Sequence, residues 1–377
     1  MNRNSVGLVV FLVLFVLVLS GCQKDVTLFE KGSFPKRLSE WNVFFVKNNS
    51  LTLNEGVVAY DLNTPLFTDY AHKLRTIWVP ADKSGTYSEN SDIELPIGSI
   101  VTKTFFYPRN GEQLLMTNDE SSDFNSVGLD MANVRLIETR LMVRLENGWQ
   151  GLPYVWNETQ DEAFLEIAGD AISLNLSSAD GNKKVRYDIQ YSIPDFNQCQ
   201  ACHIENLKTK EMGLIGVKVR HLNKAYSHLH KSLDQLEHMV KLGILSELPN
   251  TLPMNSDWKI SHSNQTELNH KARSYLDINC GHCHNPTGAG DTSGLFLHMG
   301  ETNLLKLGRC KPPVAAGQGT GGRLVSIQPG DAAGSILSYR MQSLDLGAMM
   351  PELGRSTVHI EGVQVIAEWI DAMEGGC

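Results

Sequence analysis

The chain has 377 residues, 42% of them hydrophobic and 20% charged, which is long for one domain and enough for two or three with separate cores. Its formal net charge of -9 argues against nucleic acid as a partner and against an electrostatic hold on anionic lipid.

Arg3 is followed by an apolar run from Val6 to Leu19 and then by Leu19-Ser20-Gly21-Cys22. That run falls short of the roughly twenty residues a membrane-spanning helix needs and suits the apolar core of an export signal. Its end resembles a bacterial lipobox, so residues 1–21 are expected to be a lipoprotein signal peptide and Cys22 the lipidated first residue of the mature chain, anchored to a membrane by its acyl chains. Cleavage by the ordinary signal peptidase is the alternative. Gln23 resembles the outer-membrane sorting pattern of some Gram-negative bacteria. Residues 22–40, with Lys24, Lys31, Lys36, Arg37, Gly32 and Pro35, read as a tether.

From about residue 55 to 192 the hydrophobic period is two. Ile137, Thr139, Leu141, Val143 and Leu145 alternate with Glu138, Arg140 and Arg144, and Val185, Tyr187, Ile189 and Tyr191 with Arg186, Asp188 and Gln190. Asn110-Gly111, Asn147-Gly148 and Asp180-Gly181 are hairpin signals between such runs. Residues 41–194 are therefore expected to form an antiparallel β-sandwich, jelly-roll-like, in an α+β multidomain chain. Asp61, Asp69, His72, Lys73 and Arg75 read as a solvated rim, and Trp41, Trp78, Trp149 and Trp156 as sandwich core rather than a sugar-binding face.

The period then changes. Asp195 and Gln198 have capping-box spacing and open a helix over Cys199-Gln200-Ala201-Cys202-His203. A longer helix is predicted from about Asn223, carrying Tyr226, Leu229, Leu233, Leu236 and Val240 and stopping at Gly243. Residues 195–260 thus read as an α-helical segment. In 261–377, Asn264 and Glu267 cap a helix that runs into Cys280-Gly281-His282-Cys283-His284. Val363, Ile366, Ile370 and Met373 mark a last amphipathic helix, so this region is expected to be an all-α domain.

Two C-x-x-C-H stretches carry the chemistry. The thiols of Cys199 and Cys202, and of Cys280 and Cys283, are spaced to add to the two vinyl groups of a haem, with His203 and His284 as iron ligands. Half a zinc site or a redox disulfide is the competing reading of a C-x-x-C pair. Met350, ahead of Pro351, is the expected second ligand at His284, preferred over Met349 because proline stiffens the loop. His/Met ligation fills both axial positions and suits one-electron transfer. At His203 the second ligand is open among His221, His228, His230, His238, Met212 and Met254, with an unfilled position as a further option. Of seven cysteines, Cys310 and Cys377 remain after lipid and haem, and in an oxidising compartment they are expected to form a disulfide; two free buried thiols are the alternative.

Residues 262–377 resemble class I-like bacterial cytochrome c domains, through Tyr275 to His284, Met350-Pro351-Glu352-Leu353-Gly354-Arg355 and the helix through Trp369-Ile370. Leu38-Ser39-Glu40-Trp41, Tyr60 to Ala71 and Glu138-Thr139-Arg140-Leu141 resemble an uncharacterised bacterial family of exported two-haem c-type cytochromes with a β-rich front domain. The resemblance implies two covalent haem c groups and electron transfer in the cell envelope, from a dehydrogenase to a cytochrome or oxidase. His359 stands where such domains often place an aspartate helix cap. A two-haem peroxidase or oxidase acting at the first haem is the competing function, and the sandwich as a glycan or partner docking module is a third.

Overall fold

The computed structural model describes residues 24–88, 92–117, 124–125, 128–180, 183–228, 231–259, 261–314 and 316–377. The expected signal peptide and the expected lipidation site, Cys22, lie outside them. The fold is mixed α and β and rich in strand, built on a curled sheet with a few helices.

Strands in chain order are β1 Phe44–Lys47, β2 Ser50–Leu53, β3 Val58–Tyr60, β4 His72–Trp78, β5 Thr86–Tyr87, β6 Ile93–Glu94, β7 Ile100–Asn110 and β8 Gln113–Leu115. There follow β9 Phe124–Asn125, β10 Gly128–Asp130, β11 Val134–Leu145, β12 Gly148–Trp156, β13 Ala163–Leu165, β14 Asp170–Asp180 and β15 Lys183–Ile193. The main sheet runs β3-β4-β7-β11-β12-β13, with β8-β14-β15 joined at the far end of β7. Its central order follows the chain, with β5–β6 and β8–β10 as excursions. This is a meander where a jelly-roll winding was expected, and β8 pairs with β14 in parallel. Hairpins form at all three predicted places: Leu145 pairs with Gly148, Asn110 with Gln113 and Asp180 with Lys183.

One face of the main sheet is covered by a small sheet, β1-β2-β10-β9, and by the segment around Trp41. Leu74, Phe106, Leu141 and Tyr154 from the large sheet pack there with Phe44, Leu51 and Leu129 from the small one. Trp41 is fully buried and donates to the Tyr154 hydroxyl at 2.7 Å, and Trp156 is buried beside it. The opposite face is not solvated. Val58, Ile77, Val101 and Met142 lie under Ile204, Val219, Leu222, Leu236 and Ile278 from downstream.

Among the described residues six α-helices follow: α1 Phe196–His203, α2 Val219–Leu222, α3 Gln235–Lys241, α4 Gln265–Asn279, α5 Ile336–Gln342 and α6 Ile360–Asp371. The capping box at α1 is made, with Asp195 accepting from the Gln198 backbone N–H at 2.8 Å, and Asn264 caps α4. The long helix expected from Asn223 is absent. Ala225–His228 and Lys231–Asp234 form a hairpin, β18 and β19 after the short pair β16 Ile204–Asn206 and β17 Glu211–Met212, and helix resumes only at α3. Asp234 explains the break, since its carboxylate accepts from the Glu237 N–H at 2.9 Å and starts a new helix there. Residues 195–260 are thus mixed rather than α-helical.

In residues 261–377, α4, α5 and α6 pack around Leu276, Leu337, Ile366 and Trp369, joined by extended loops with isolated bridges such as Arg309 to Ile327. Cys310 and Cys377 are bonded, with Cα atoms 5.3 Å apart. No helix among the described residues is long and apolar enough to cross a membrane.

Candidate functional site

The first C-x-x-C-H lies on α1 and is pressed against the main sheet: a Cβ on Gly151 of β12 would come within 3.6 Å of the Cys199 Cβ. The second begins where α4 ends. The Gly281 position has no room for a side chain, because a Cβ there would meet the Asp277 carbonyl at 2.6 Å and the His298 backbone at 2.9 Å. None of the four thiols is in a disulfide.

Residues 204–279 separate the two motifs, and the fold puts them side by side. The Cys283 Sγ is 3.9 Å from the Ala201 carbonyl, and Cys202 and Cys283 share a hydrogen bond that pulls the first thiol down in pKa and pushes the second up. Thr287 donates to the Glu205 carbonyl at 2.7 Å, and the Leu207 N–H reaches the Thr287 carbonyl at 3.0 Å. These bonds tie the loop after His284 to the loop after His203.

Both motif histidines are held alike. His203 Nδ1 lies 2.7 Å from the Gly213 carbonyl, and His284 Nδ1 lies 3.3 Å from the Leu295 carbonyl and 3.3 Å from the Ser293 hydroxyl. A ring tied through Nδ1 to an acceptor keeps Nε2 as the basic atom, the arrangement second partners impose on metal-ligating histidine. Burial pushes His203 down to about 3 and His284 down to about 4, so both rings are neutral near pH 7. Burial also pushes Cys199 up to about 11 and Cys280 up to about 12. Gly290 leaves room beside the His284 ring, where a Cβ would sit 2.9 Å from Nδ1.

Cys280, Cys283 and His284 line a cavity of about 540 Å³ that Met350 and Arg355 also line. Met349 is buried but does not line it. The loop carrying Met350 is stitched in place: the Met350 N–H donates to the Arg340 carbonyl at 2.9 Å, and Arg355 Nη2 donates to the carbonyls of Met350 at 3.0 Å and Ser343 at 2.9 Å. Asp69 then fastens that loop to the sheet. Its carboxylate accepts from the Ser356 N–H at 2.7 Å, the Thr357 N–H at 2.8 Å and the Ser356 hydroxyl at 2.9 Å. His359 begins α6 without a capping bond and stacks on Phe67 with ring centroids 4.3 Å apart.

Cys199, Cys202 and His203 line a narrower cavity of about 110 Å³ against the sheet. On the other side of Cys202 and His203 a polar pocket of about 520 Å³ opens toward His221 and His298. Of the suggested partners for His203, none of Met212, His221, His238 and Met254 lines the sheet-side cavity. Met212 is buried in the core, Met254 is exposed, and His221 Nε2 lies 3.0 Å from Asp277, which Arg220 also grips at 2.7 Å. His230 and the His228 side chain lie outside the described residues.

What lines that cavity instead is Met142 and the charged face of the sheet: Lys73, Arg75, Lys103 and Arg140. Asp69, His72 and Arg75, read as solvated rim, are each 1% exposed. The alternation of Glu138 and Arg140 with apolar neighbours was a usable signal for two faces; only what covers the second face was hidden. Among the described residues no group of three or more His, Cys, Asp or Glu side chains is placed to hold a metal ion. No family model, curated protein or solved structure matches the chain.

Proposed function

We propose that the chain is a two-haem c-type cytochrome that carries single electrons in a bacterial cell envelope, from a dehydrogenase to a cytochrome or oxidase, held at the membrane by lipid on Cys22. Residues 261–377 would be its all-α cytochrome unit and residues 41–194 the β-sandwich against which the first haem rests. The observation that carries this reading is the contact between two C-x-x-C-H motifs whose histidines are both neutral and both tied through Nδ1 to a backbone carbonyl. Free thiols, a neutral imidazole and an adjoining cavity would hold a haem covalently at each motif, with Met350, which lines the same cavity as His284, as a further ligand there.

Bound haem iron supplies one-electron chemistry. The chain's own part is to fix the ligands and exclude water. Arg340, Arg355 and Asp69 hold the Met350 loop, and the carbonyls of Gly213 and Leu295 orient the rings. The Cys283 Sγ, 3.9 Å from the Ala201 carbonyl, puts the two motifs in contact, which suits passage of an electron between them.

The test is expression in a host competent in cytochrome maturation. Two haems per chain by intact mass and by the alkaline pyridine spectrum are expected; a colourless product with the bare polypeptide mass refutes the proposal. A second reading, a haem enzyme acting at His203, is favoured by one observation: among the described residues, none of Met212, His221, His238 and Met254 lines that cavity. High-spin ferric signals and turnover with peroxide would select it over the carrier.

A further inference from the structure

The sheet face beneath Cys199 carries an arrangement of charge that a folded chain ordinarily avoids. Lys103 of β7 stands directly opposite Arg75 of β4 on one side and Arg140 of β11 on the other. The next row on the same face is Lys73, Phe105 and Glu138. Like charges directly opposed across neighbouring strands repel, and here three cations stand in one row lining an enclosed cavity. Two of them have carboxylates: Arg75 meets Asp61 at 3.0 Å, and Arg140 Nε meets Glu138 at 2.9 Å. The middle one does not. Lys103 Nζ donates to the Ile215 carbonyl at 3.3 Å, and no carboxylate pairs with it among the described residues. Glu138 is itself shared, accepting from the Tyr191 hydroxyl at 2.7 Å.

A cation row with Arg75 buried and Lys103 and Arg140 half-buried, one negative charge short, is a site for an anion, because uncompensated charge shielded from water is costly until it is paired. Charge-assisted bonds from ammonium and guanidinium groups match carboxylate oxygens. We infer that Arg75, Lys103 and Arg140 form a carboxylate site, and that its occupant is a propionate of the haem attached at Cys199 and Cys202, an inference that rests on the two-haem reading above. Haem carries its propionates on the edge remote from the vinyl groups that the thiols take, and the cation row begins beside the Cys199 attachment point and runs away from it across three strands. Lys103 then acts on the iron through the propionate, as a positioning and tuning residue. Burial and the neighbouring cations push Lys103 down to about 7, so a carboxylate beside it would favour its charged form.

The test is a potentiometric titration of the holoprotein with haem content measured on the same samples. In Lys103→Gln the midpoint potential of the first haem is expected to fall, because the oxidised iron loses a nearby opposing charge, while that of the second haem stays; Lys103→Arg keeps the wild-type potential. Fewer than two haems in the wild type defeats the two-haem reading itself. Two haems with a first potential unmoved by Lys103→Gln defeats this inference alone. A change from low-spin to high-spin iron in Lys103→Gln makes Lys103 an iron ligand and also overturns it. A wild-type measurement covers the case in which the variants do not fold. Millimolar acetate should leave the first haem's midpoint potential unchanged because the site is filled from within, and a saturable shift of that potential with no change of spin state shows that it takes a free anion instead.

Discussion

Asp69 is the point at which the sheet holds the Met350 loop, and its removal has a graded, calculable effect. The residue is 1% exposed, and its two oxygens take two backbone N–H groups and one hydroxyl from Ser356 and Thr357. Asp69→Ala leaves both buried N–H groups without an acceptor, at about 1–3 kcal/mol each, or about 2–6 kcal/mol together. That is a large part of the roughly 5–15 kcal/mol that holds a typical domain. Asp69→Asn should be far milder. Its remaining oxygen sits where Oδ1 already accepts from both N–H groups, and its amide can donate to the Ser356 hydroxyl, at the cost of facing the Ser356 N–H that Oδ2 also accepts from at 2.8 Å. Burial pushes the Asp69 carboxyl above its ordinary pKa, against the bonds from Ser356 and Thr357, so a neutral amide gains where the carboxylate is disfavoured. Urea unfolding reads the stability, and, on the two-haem proposal, the ferric sulfur-to-iron absorption band at the red edge of the spectrum reads the Met350 loop. Asp69→Ala should lose about 2 kcal/mol or more and weaken the band, with Asp69→Asn within about 1 kcal/mol of wild type. Equal losses in the two variants would show that charge, not acceptor count, fastens the loop; a loss below about 1 kcal/mol in Asp69→Ala would refute the fastening altogether.

Met350→Ala should abolish that band while Met349→Ala keeps it, since only Met350 lines the cavity with His284; the reverse result exchanges the assignment. Asp277→Asn, which breaks the buried contacts with Arg220 and His221, should cost about 3–5 kcal/mol at pH 7. Burial works against the Asp277 carboxylate, but His221 and Arg220 hold its pKa well below the ordinary value. A depressed folded pKa gives stability that is complete above the unfolded value of about 3.9 and lost as pH falls through the folded one. The gap between wild type and Asp277→Asn should therefore not shrink from pH 7 to about 4, since Asp277 also raises the pKa that burial lowers at His221, and should narrow below it, as urea titrations across pH would record. Replacing Cys310 and Cys377 together by serine opens a loop spanning 67 residues, worth about 4 kcal/mol by chain entropy. A change in unfolding free energy under about 1 kcal/mol would show that the C-terminus is held by packing instead.

Local features of this protein were legible in its residues. Turn chemistry at Asn110-Gly111 and Asn147-Gly148, the acceptor at Asp195, the cap at Asn264 and the two C-x-x-C-H stretches each depend on a few neighbouring groups, so a window of sequence contains their cause. The run from Asn223 misled because Tyr226, Leu229, Leu233 and Leu236 keep a helical spacing, while the Asp234 side chain that interrupts it acts through one hydrogen bond that periodicity does not register.

Sequence alone determined that strands alternate two faces, that four thiols and two imidazoles sit at attachment spacing, and that Cys310 and Cys377 were left to pair. Only the tertiary structure decided that the face bearing Arg75, Lys103 and Arg140 is enclosed, that Cys202 meets Cys283, and that Asp69 reaches Ser356 across 287 residues of chain. Alternation states which side of a sheet a residue takes, and not what will lie over it. That depends on long-range packing, where apolar area from distant segments outweighs the cost of burying a few paired charges.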